Sequence, residues 1–275
     1  MRTIRIAHSP DSDDAFMFYA LATEKLEAPG FQFEHVLQDI ETLNRAALEG
    51  KYEVTAVSIH AYAYLHERYA MLNAGASMGD GYGPILAAHQ PFHRSEIRGK
   101  RIAIPGERTS AFLALKLLEP QFAHETVPFD EIIPAVRKRI FDAGLVIHEG
   151  QLSYLEEGLH KIVDLGEWWM EETGLPLPLG GNVIRRDLGE EAIGEISRLI
   201  RQSIRFALEN REEALEYSLQ FGRGLDKQQG DRFVSMYVNE RTLDYGEDGR
   251  KAVQLFLDRG HQAGWIPDRV QVEFL

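Results

Sequence analysis

The sequence contains no cysteine. This absence excludes thiol catalysis, disulfide bonds and zinc sites built from thiolates. No apolar run approaches the length of about 20 residues that a helix needs to cross a bilayer. A strand pattern begins at once, and no basic, apolar and small-residue signal for secretion precedes it. We therefore expect a cytoplasmic protein with no membrane partner.

Positive charge is also scarce in this chain. Its 30 lysines and arginines face 43 aspartates and glutamates, which gives a formal net charge of -13. This balance argues against a nucleic acid or an anionic membrane as partner. It does not exclude a small carboxylate substrate, because a local anion pocket can lie in an acidic protein. The sequence leaves open whether the chain forms a homodimer.

Strand and helix patterns alternate along the first part of the chain. Phe31–Leu37 alternates between apolar and polar residues, which predicts a strand. Asp39 and Gly50 are suited to begin and end the following helix, and residues 52–58 form the next apolar strand pattern. Strands that alternate with helices indicate βαβ units, so we predict an α/β fold with a largely parallel sheet.

Two glycine-rich segments, residues 79–86 and 174–182, are candidates for crossings between two lobes. Two crossings make one lobe an insertion in the other. We predict a discontinuous large lobe at residues 1–86 and 184–275 and a small lobe at residues 87–183. Glycines at the crossings suit a hinge, and a cleft between lobes is a favoured ligand site. Ordinary surface loops are the alternative interpretation of both segments.

Residues 143–149, AGLVIHE, form a short apolar run that leads directly into His148 and Glu149. Such a run predicts a buried strand. In open α/β sheets, ligands bind beyond the carboxyl ends of the strands. A histidine at that position is suited to proton transfer near neutral pH, and Glu149 could orient it. His148 is therefore a candidate base, the alternative being a histidine that merely hydrogen-bonds a loop.

Hydroxyl groups occur at two predicted helix starts. Thr109 and Ser110 follow a turn and open a helix at residues 111–118, where free backbone N–H groups attract a carboxylate or a phosphate. This turn lacks the spacing of glycine, lysine and serine that defines a P-loop. Ser58 similarly follows an apolar strand. Helix capping is the alternative role for each of these hydroxyls.

The loop before the first helix carries Asp11, Asp13 and Asp14. A calcium loop would continue to a late glutamate, which is missing here. Capping of the helix by Ser12 or Asp13 and hydrogen bonds from Asp14 to a hydroxylated substrate account better for these residues. The histidines elsewhere have spacings unsuited to a zinc pair. We therefore predict no metal site and no cofactor.

Several segments together resemble one known family. They are SP with Asp14 and Phe16 near the start, DIETLNR at 39–45, AGLVIHE at 143–149, GLPLPLG at 174–180 and RRDLG at 185–189. These segments resemble the 1,4-dihydroxy-6-naphthoate synthases of the futalosine route to menaquinone. The resemblance extends over nearly the whole chain, and GLPLPLG and IHE are its most specific parts.

The resemblance implies a two-lobed type II periplasmic-binding-protein-like fold with a cleft between the lobes. It implies a lyase that cleaves cyclic dehypoxanthinyl futalosine into the naphthoate and a small dihydroxy ketone. It assigns His148 as proton acceptor. It places the substrate contacts at Ala56, Val57 and Ser58 and at the paired hydroxyls of Thr109 and Ser110.

The chain departs from the family pattern at residues 11–13, where Asp-Ser-Asp replaces a frequent cysteine, proline and asparagine, and at Ala56, where lysine is frequent. Two rival functions stay open. The fold alone would suit a non-catalytic solute-binding protein. Chorismate dehydratase of the same pathway is the second rival, and it would not be expected to need the histidine of the IHE segment.

Overall fold

The computed structural model describes residues 1–222 and 225–275. In these residues the strands form two sheets. The first contains β1 (Arg2–His8), β2 (Phe31–Leu37), β3 (Val54–Ser58), β4 (Tyr69–Met71), β5 (Ser77–Gly79) and β11 (Leu177–Arg185). The second contains β6 (Ile85–Ala88), β7 (Arg101–Ile104), β8 (Ala123–Thr126), β9 (Ala143–Val146) and β10 (His160–Asp164). We refer to each sheet and the helices packed on it as the large and the small lobe, respectively.

Helices cover the sheets and fill the C-terminal third of the chain. They are α1 (Ser12–Met17), α2 (Tyr19–Ala22), α3 (Ile40–Leu48), α4 (Ile59–Tyr62), α5 (Ser110–Leu118), α6 (Ile132–Arg137), α7 (Gly150–Ser153), α8 (Leu165–Thr173), α9 (Glu190–Glu209), α10 (Arg211–Ser218), α11 (Lys227–Tyr237), α12 (Glu240–Leu243) and α13 (Gly246–Gln262). Across residues 1–222 and 225–275, none of these helices combines the length and the apolar character needed to cross a membrane.

Both sheets are mixed in strand direction. In the large lobe the order is β2-β1-β3-β11-β4, with β5 also paired to β11. Strand β1 runs parallel to β2 and β3, whereas β11 is antiparallel to all its neighbours. In the small lobe the order is β10-β6-β9-β7-β8, and β6 is antiparallel to both its neighbours. The α/β class is confirmed, but the largely parallel sheet is wrong, because β6 and β11 enter their sheets from the opposite lobe.

The chain passes between the sheets twice. It leaves the large lobe after β5 and enters the small lobe with β6, and it returns between β10 and β11. The lobe boundaries that we placed at 86/87 and 183/184 fall inside β6 and β11. We therefore move the proposed boundaries to residues 80–84 and 165–176, which hold the glycines of the predicted crossings.

One apolar cluster spans the two lobes. It contains Met71 and Val183 of the large sheet together with Leu86 and Ile102 of the small sheet, all of them fully buried. The ring of Trp169 on α8 packs edge-on against that of Phe256 on α13, with 5.3 Å between their centroids. Because this cluster is continuous, packed side chains join the two lobes.

The two crossing segments pack backbone against backbone. Leu165 donates its N–H to the carbonyl of Pro84 at 2.9 Å. A Cβ atom at Gly166 would lie 1.9 Å from the carbonyl oxygen of Tyr82. Only glycine fits this approach, which gives a steric reason for glycine at position 166, outside the two segments predicted as crossings.

We expect Gly166→Ala to lower the free energy of unfolding by roughly 1–3 kcal/mol, the usual cost of forcing extra atoms into a packed site. Chemical denaturation measures this loss. The control is Gly194→Ala, because Gly194 is an exposed residue of α9 whose Cβ would meet no atom within 4 Å. The free energy of unfolding of that control should rise by about 0.5–1 kcal/mol, because alanine is favoured over glycine inside a helix. A Gly166→Ala variant as stable as the parent would contradict the close approach.

Candidate active site

A cavity of about 110 Å³ lies between the two lobes. All seven residues that the sequence singles out as site residues line it: Asp14, Ala56, Val57, Ser58, Thr109, Ser110 and His148. They come from the carboxyl ends of three strands and the start of one helix, on both lobes. The structure thus brings together every predicted site residue, while their individual roles stay predictions.

His148 follows β9 in the small lobe, two residues beyond the end of the strand pairing at Val146. Its backbone φ is +54°, a left-handed conformation that residues other than glycine rarely adopt. The aromatic ring of Phe129 lies edge-on to the imidazole, with 4.9 Å between the ring centroids. This backbone conformation turns the chain at the end of the strand and leaves the side chain at the cavity wall.

The imidazole of His148 pairs with Asp11 of the large lobe. Its Nδ1 lies 2.6 Å from Oδ2 of Asp11. Asp11 occupies the N-cap position of α1, but within the described residues its side chain caps no N–H of that helix. The predicted capping by Ser12 or Asp13 is therefore wrong, since both residues lie inside α1. The Asp11 carboxylate contacts His148 of the small lobe instead.

The pair is buried and electrostatically coupled. Burial disfavours the charged imidazole, but the negative charge and hydrogen bond of Asp11 outweigh burial and raise the pKa of His148. Burial likewise opposes the charge on Asp11, yet His148 holds the pKa of that carboxyl below its usual value. Glu149 also raises the pKa of His148, but less than Asp11 does.

The second ring nitrogen of His148 is available for chemistry. Its Nε2 is buried and has no hydrogen-bond partner among residues 1–222 and 225–275. Because Nδ1 contacts a carboxylate, the proton of a neutral imidazole resides on Nδ1, and Nε2 carries the lone pair. The geometry is therefore that of a base whose free nitrogen lies in a ligand cavity.

The other two aspartates of the loop behave differently from Asp11. Burial and the charge of Asp11 raise the pKa of Asp14 to about 8 and that of Asp13 well above its ordinary value. Asp14 Oδ2 accepts the N–H of Ser9 at 2.7 Å. Asp14 is therefore mainly protonated near neutral pH, the neutral form of Asp13 is likewise favoured, and a protonated carboxyl can donate a hydrogen bond.

The start of α5 forms another wall of the cavity. Thr109 Oγ1 caps the helix by accepting the N–H of Phe112 at 3.2 Å, and it donates to the carbonyl of Gly106. The Ser110 hydroxyl donates to the carbonyl of Leu179. Both hydroxyls thus have partners, and capping by Thr109 is confirmed. The groups left for an anion are the first backbone N–H groups of α5, at Ser110 and Ala111.

The end of β3 is held by a residue of the DIETLNR segment. Asn44 on α3 accepts the N–H of Ser58 at 2.9 Å and donates to its Oγ at 3.1 Å. The Ser58 hydroxyl accepts from Asn44 and donates to no group in the described chain, so its proton remains available to a ligand. Ala56 and Val57 line the cavity beside it.

Three cavity residues were not found from the sequence. Tyr237 of α11 donates its hydroxyl to Gln151 of α7 at 2.7 Å, which makes a second polar contact between the lobes. Asn182 on β11 has a buried Nδ2 with no hydrogen-bond partner in the described part of the chain. No local pattern marks these residues, because a tyrosine on a helix and an asparagine in a strand have many structural roles.

Metal ligands are not grouped at this site. Within residues 1–222 and 225–275, no cluster of three or more histidine, aspartate or glutamate side chains has a geometry that could hold a metal ion. The acidic loop instead directs one carboxylate to His148 and keeps two carboxyls largely neutral. The loop is therefore built for hydrogen bonding and for one ion pair.

Comparison with known proteins gives a consistent result. The family model described as menaquinone biosynthesis matches residues 4–262. A 1,4-dihydroxy-6-naphtoate synthase of Thermus thermophilus is 43% identical over 253 residues, which cover 92% of each chain. The region matched by the family model includes the residues of the cavity and of both crossings.

Two solved structures are similar to this chain in fold. A protein of Archaeoglobus fulgidus has 49% sequence identity and a TM-score of 0.92, with 96% of this chain and 98% of that chain covered. The alkanesulfonate-binding protein of Xanthomonas axonopodis pv. citri shares the fold alone, at 12% identity and a TM-score of 0.75 over 100% of this chain and 99% of that chain. The predicted two-lobed periplasmic-binding-protein-like fold is confirmed. The chain belongs to the menaquinone biosynthesis family that contains the 1,4-dihydroxy-6-naphthoate synthases.

Proposed function

We propose that this protein is a carbon-carbon lyase that converts cyclic dehypoxanthinyl futalosine to 1,4-dihydroxy-6-naphthoate, with His148 as the general base. The name of the Thermus relative supports the product. One observation carries the catalytic assignment. The Nε2 atom of His148 is buried at the cavity and has no partner in the described chain, while the Nδ1 atom of the same ring lies 2.6 Å from Asp11.

Cleavage of a carbon-carbon bond next to a carbonyl needs a base and a means to stabilise the developing oxyanion. Nε2 of His148 accepts the substrate proton, and the imidazolium that forms is stabilised by Asp11. The protonated carboxyls of Asp13 and Asp14 donate hydrogen bonds to the oxygen on which negative charge develops. Formation of the aromatic product drives the reaction, so we propose that no metal and no cofactor take part.

The substrate carboxylate binds at the start of α5. The first backbone N–H groups of this helix and its dipole favour an anion there. The hydroxyls of Thr109 and Ser110 contribute by holding the turn in shape, and that of Ser58 donates to the ligand. Ala56 and Val57 supply the apolar wall for the ring system.

Closure of the lobes excludes water from the substrate. Cavity residues of the two lobes meet through several polar contacts, among them Asp11 with His148, Tyr237 with Gln151 and Ser110 with Leu179. Exclusion of water strengthens every electrostatic interaction inside the site. We propose that the reaction takes place in the cytoplasm, with the small carboxylate as the partner of the protein and no role for nucleic acid or membrane.

A solute-binding protein is the second candidate, because the fold is shared with an alkanesulfonate-binding protein. A binding site has no use for a base with a free nitrogen and a buried carboxylate behind it. Chorismate dehydratase, the third candidate, is not expected to need this histidine. Incubation of the purified protein with each substrate in turn distinguishes the three, since only the proposed lyase releases the naphthoate.

We expect His148→Asn to lower kcat by roughly 10²–10⁴-fold, the usual contribution of a general base. Asparagine retains the size and part of the hydrogen bonding, so the KM and the melting temperature should change little. Product formation followed by absorbance measures kcat. Parental turnover in this variant would show that another group is the base.

We expect the double change Thr109→Ala and Ser110→Ala to raise the KM strongly while kcat changes less. Loss of the turn that presents the helix N–H groups weakens hydrogen bonds to a charged group, each worth roughly 1.5–3 kcal/mol. Loss of the Thr109 cap alone should cost about 1 kcal/mol of stability. Initial rates and thermal unfolding measure the two effects, and an unchanged KM would place the carboxylate elsewhere.

We expect the parental kcat/KM to fall as the pH rises through about 8, where Asp14 loses the proton that it donates. Asp14→Asn keeps a neutral donor and can still accept the N–H of Ser9, so this alkaline decline should disappear while the rate at pH 7 changes little. Rates measured from pH 6 to pH 10 test this. The same alkaline decline in the variant would exclude Asp14 as its source.

A further inference from the structure

We propose that Asp11 is a positioning residue that completes the base only when the two lobes are closed, so that closure and activation of His148 are one event. This inference rests on the proposed role of His148 as the general base.

The first observation is that Asp11 does not do what an aspartate at its position normally does. An N-cap aspartate accepts a backbone N–H of its own helix and contributes about 1 kcal/mol. Asp39, Asp164 and Asp226 do so at the starts of α3, α8 and α11. Asp11 has the extended backbone of an N-cap, with φ -127° and ψ 168°, but its carboxylate pairs with His148.

The second observation is that His148 also has an unfavourable local geometry. Its φ of +54° belongs to a region that costs a residue other than glycine roughly 1–3 kcal/mol. Strain of this kind persists only where surrounding contacts hold it. A single contact across the cleft, between Asp11 and His148, therefore compensates two local costs. One is the start of α1, which Asp11 does not cap, and the other is the strained backbone of His148.

The third observation is that the contact depends on the distance between the lobes. Asp11 follows a strand of the large sheet and His148 follows a strand of the small sheet, so any opening lengthens the separation of 2.6 Å between Oδ2 and Nδ1. In the open form the imidazole loses the partner that selects its tautomer. The Asp11 carboxylate is then free to cap α1, which stabilises the open form locally.

The fourth observation is that closure has a second contact that does not involve the base. Tyr237 and Gln151 join α11 to α7 at the same cavity. The effect of closure can therefore be separated from the effect of the Asp11 charge, because Tyr237→Phe weakens closure without removing any charge beside His148. The charged or titratable groups that act on His148 are Asp11 and Asp14 of the large lobe and Glu149 of its own loop.

The experiment uses Asp11→Asn and Asp11→Ser in the full-length protein labelled with ¹⁵N-histidine. Serine can cap α1, so the second variant is expected to fold at least as well as the parent. The His148 resonances, assigned with His148→Asn, report the tautomer and the titration midpoint. Asp226→Asn is the matched control, because it also alters an N-cap aspartate, and it should leave both quantities and kcat unchanged.

We expect both Asp11 variants to move the His148 midpoint to lower pH and to lose the single Nδ1–H tautomer. We expect kcat to fall on the order of 10²-fold, as for other losses of orientation. Because Asp11 acts through His148, Asp11→Asn combined with His148→Asn should be no slower than His148→Asn alone. Tyr237→Phe should raise the KM and leave the His148 midpoint in the ligand-bound protein unchanged.

An unchanged titration midpoint and tautomer of His148 in both Asp11 variants would overturn the proposal. A kcat in the double variant Asp11→Asn and His148→Asn that is lower than that of His148→Asn alone would also overturn it. Failure of the proposed function is a separate outcome. A parent that does not cleave cyclic dehypoxanthinyl futalosine would overturn the lyase assignment, while the resonance measurements would still show whether Asp11 controls His148.

Discussion

The site depends on one buried contact, between the carboxylate of Asp11 in the large lobe and Nδ1 of His148 in the small lobe. Removing the carboxylate charge from water costs several kcal/mol, and the contact with His148 recovers this cost only when its geometry is good. Rigid strands provide that geometry, because β1 and β9 end on opposite sides of the same cavity. The apolar cluster near the crossings then fixes how the two strand ends approach each other.

The same pair decides the charge of its surroundings. Asp11 stays ionised because it faces His148, and its negative charge together with burial opposes ionisation of Asp13 and Asp14. A loop with three aspartates thus presents one negative charge, which the imidazolium can balance. Three ionised carboxylates would repel an anionic substrate, whereas two neutral carboxyls donate hydrogen bonds to it. The acidic loop is therefore compatible with a carboxylate ligand.

The sequence was informative wherever the signal is local. A strand end located His148, a hydroxyl at a helix start located Thr109, and both line the cavity. Contacts between distant parts of the chain carried no such signal. The partner of His148 lies 137 positions away, in the acidic loop, and Tyr237 lies on a helix far along the chain. The prediction of a largely parallel sheet was wrong for the same reason, since only packing reveals which sheet a short apolar strand joins.

The fold by itself does not decide between binding and catalysis, because a protein that shares it at 12% identity binds alkanesulfonates. Both activities use a cleft that closes on an anion. What binding does not require is a group whose protonation depends on closure. In this chain, the strained backbone of His148 and the uncapped start of α1 are tolerated because they bring a carboxylate to the back of an imidazole. In the proposed mechanism, these two residues on opposite lobes turn closure of the cleft into preparation of a base.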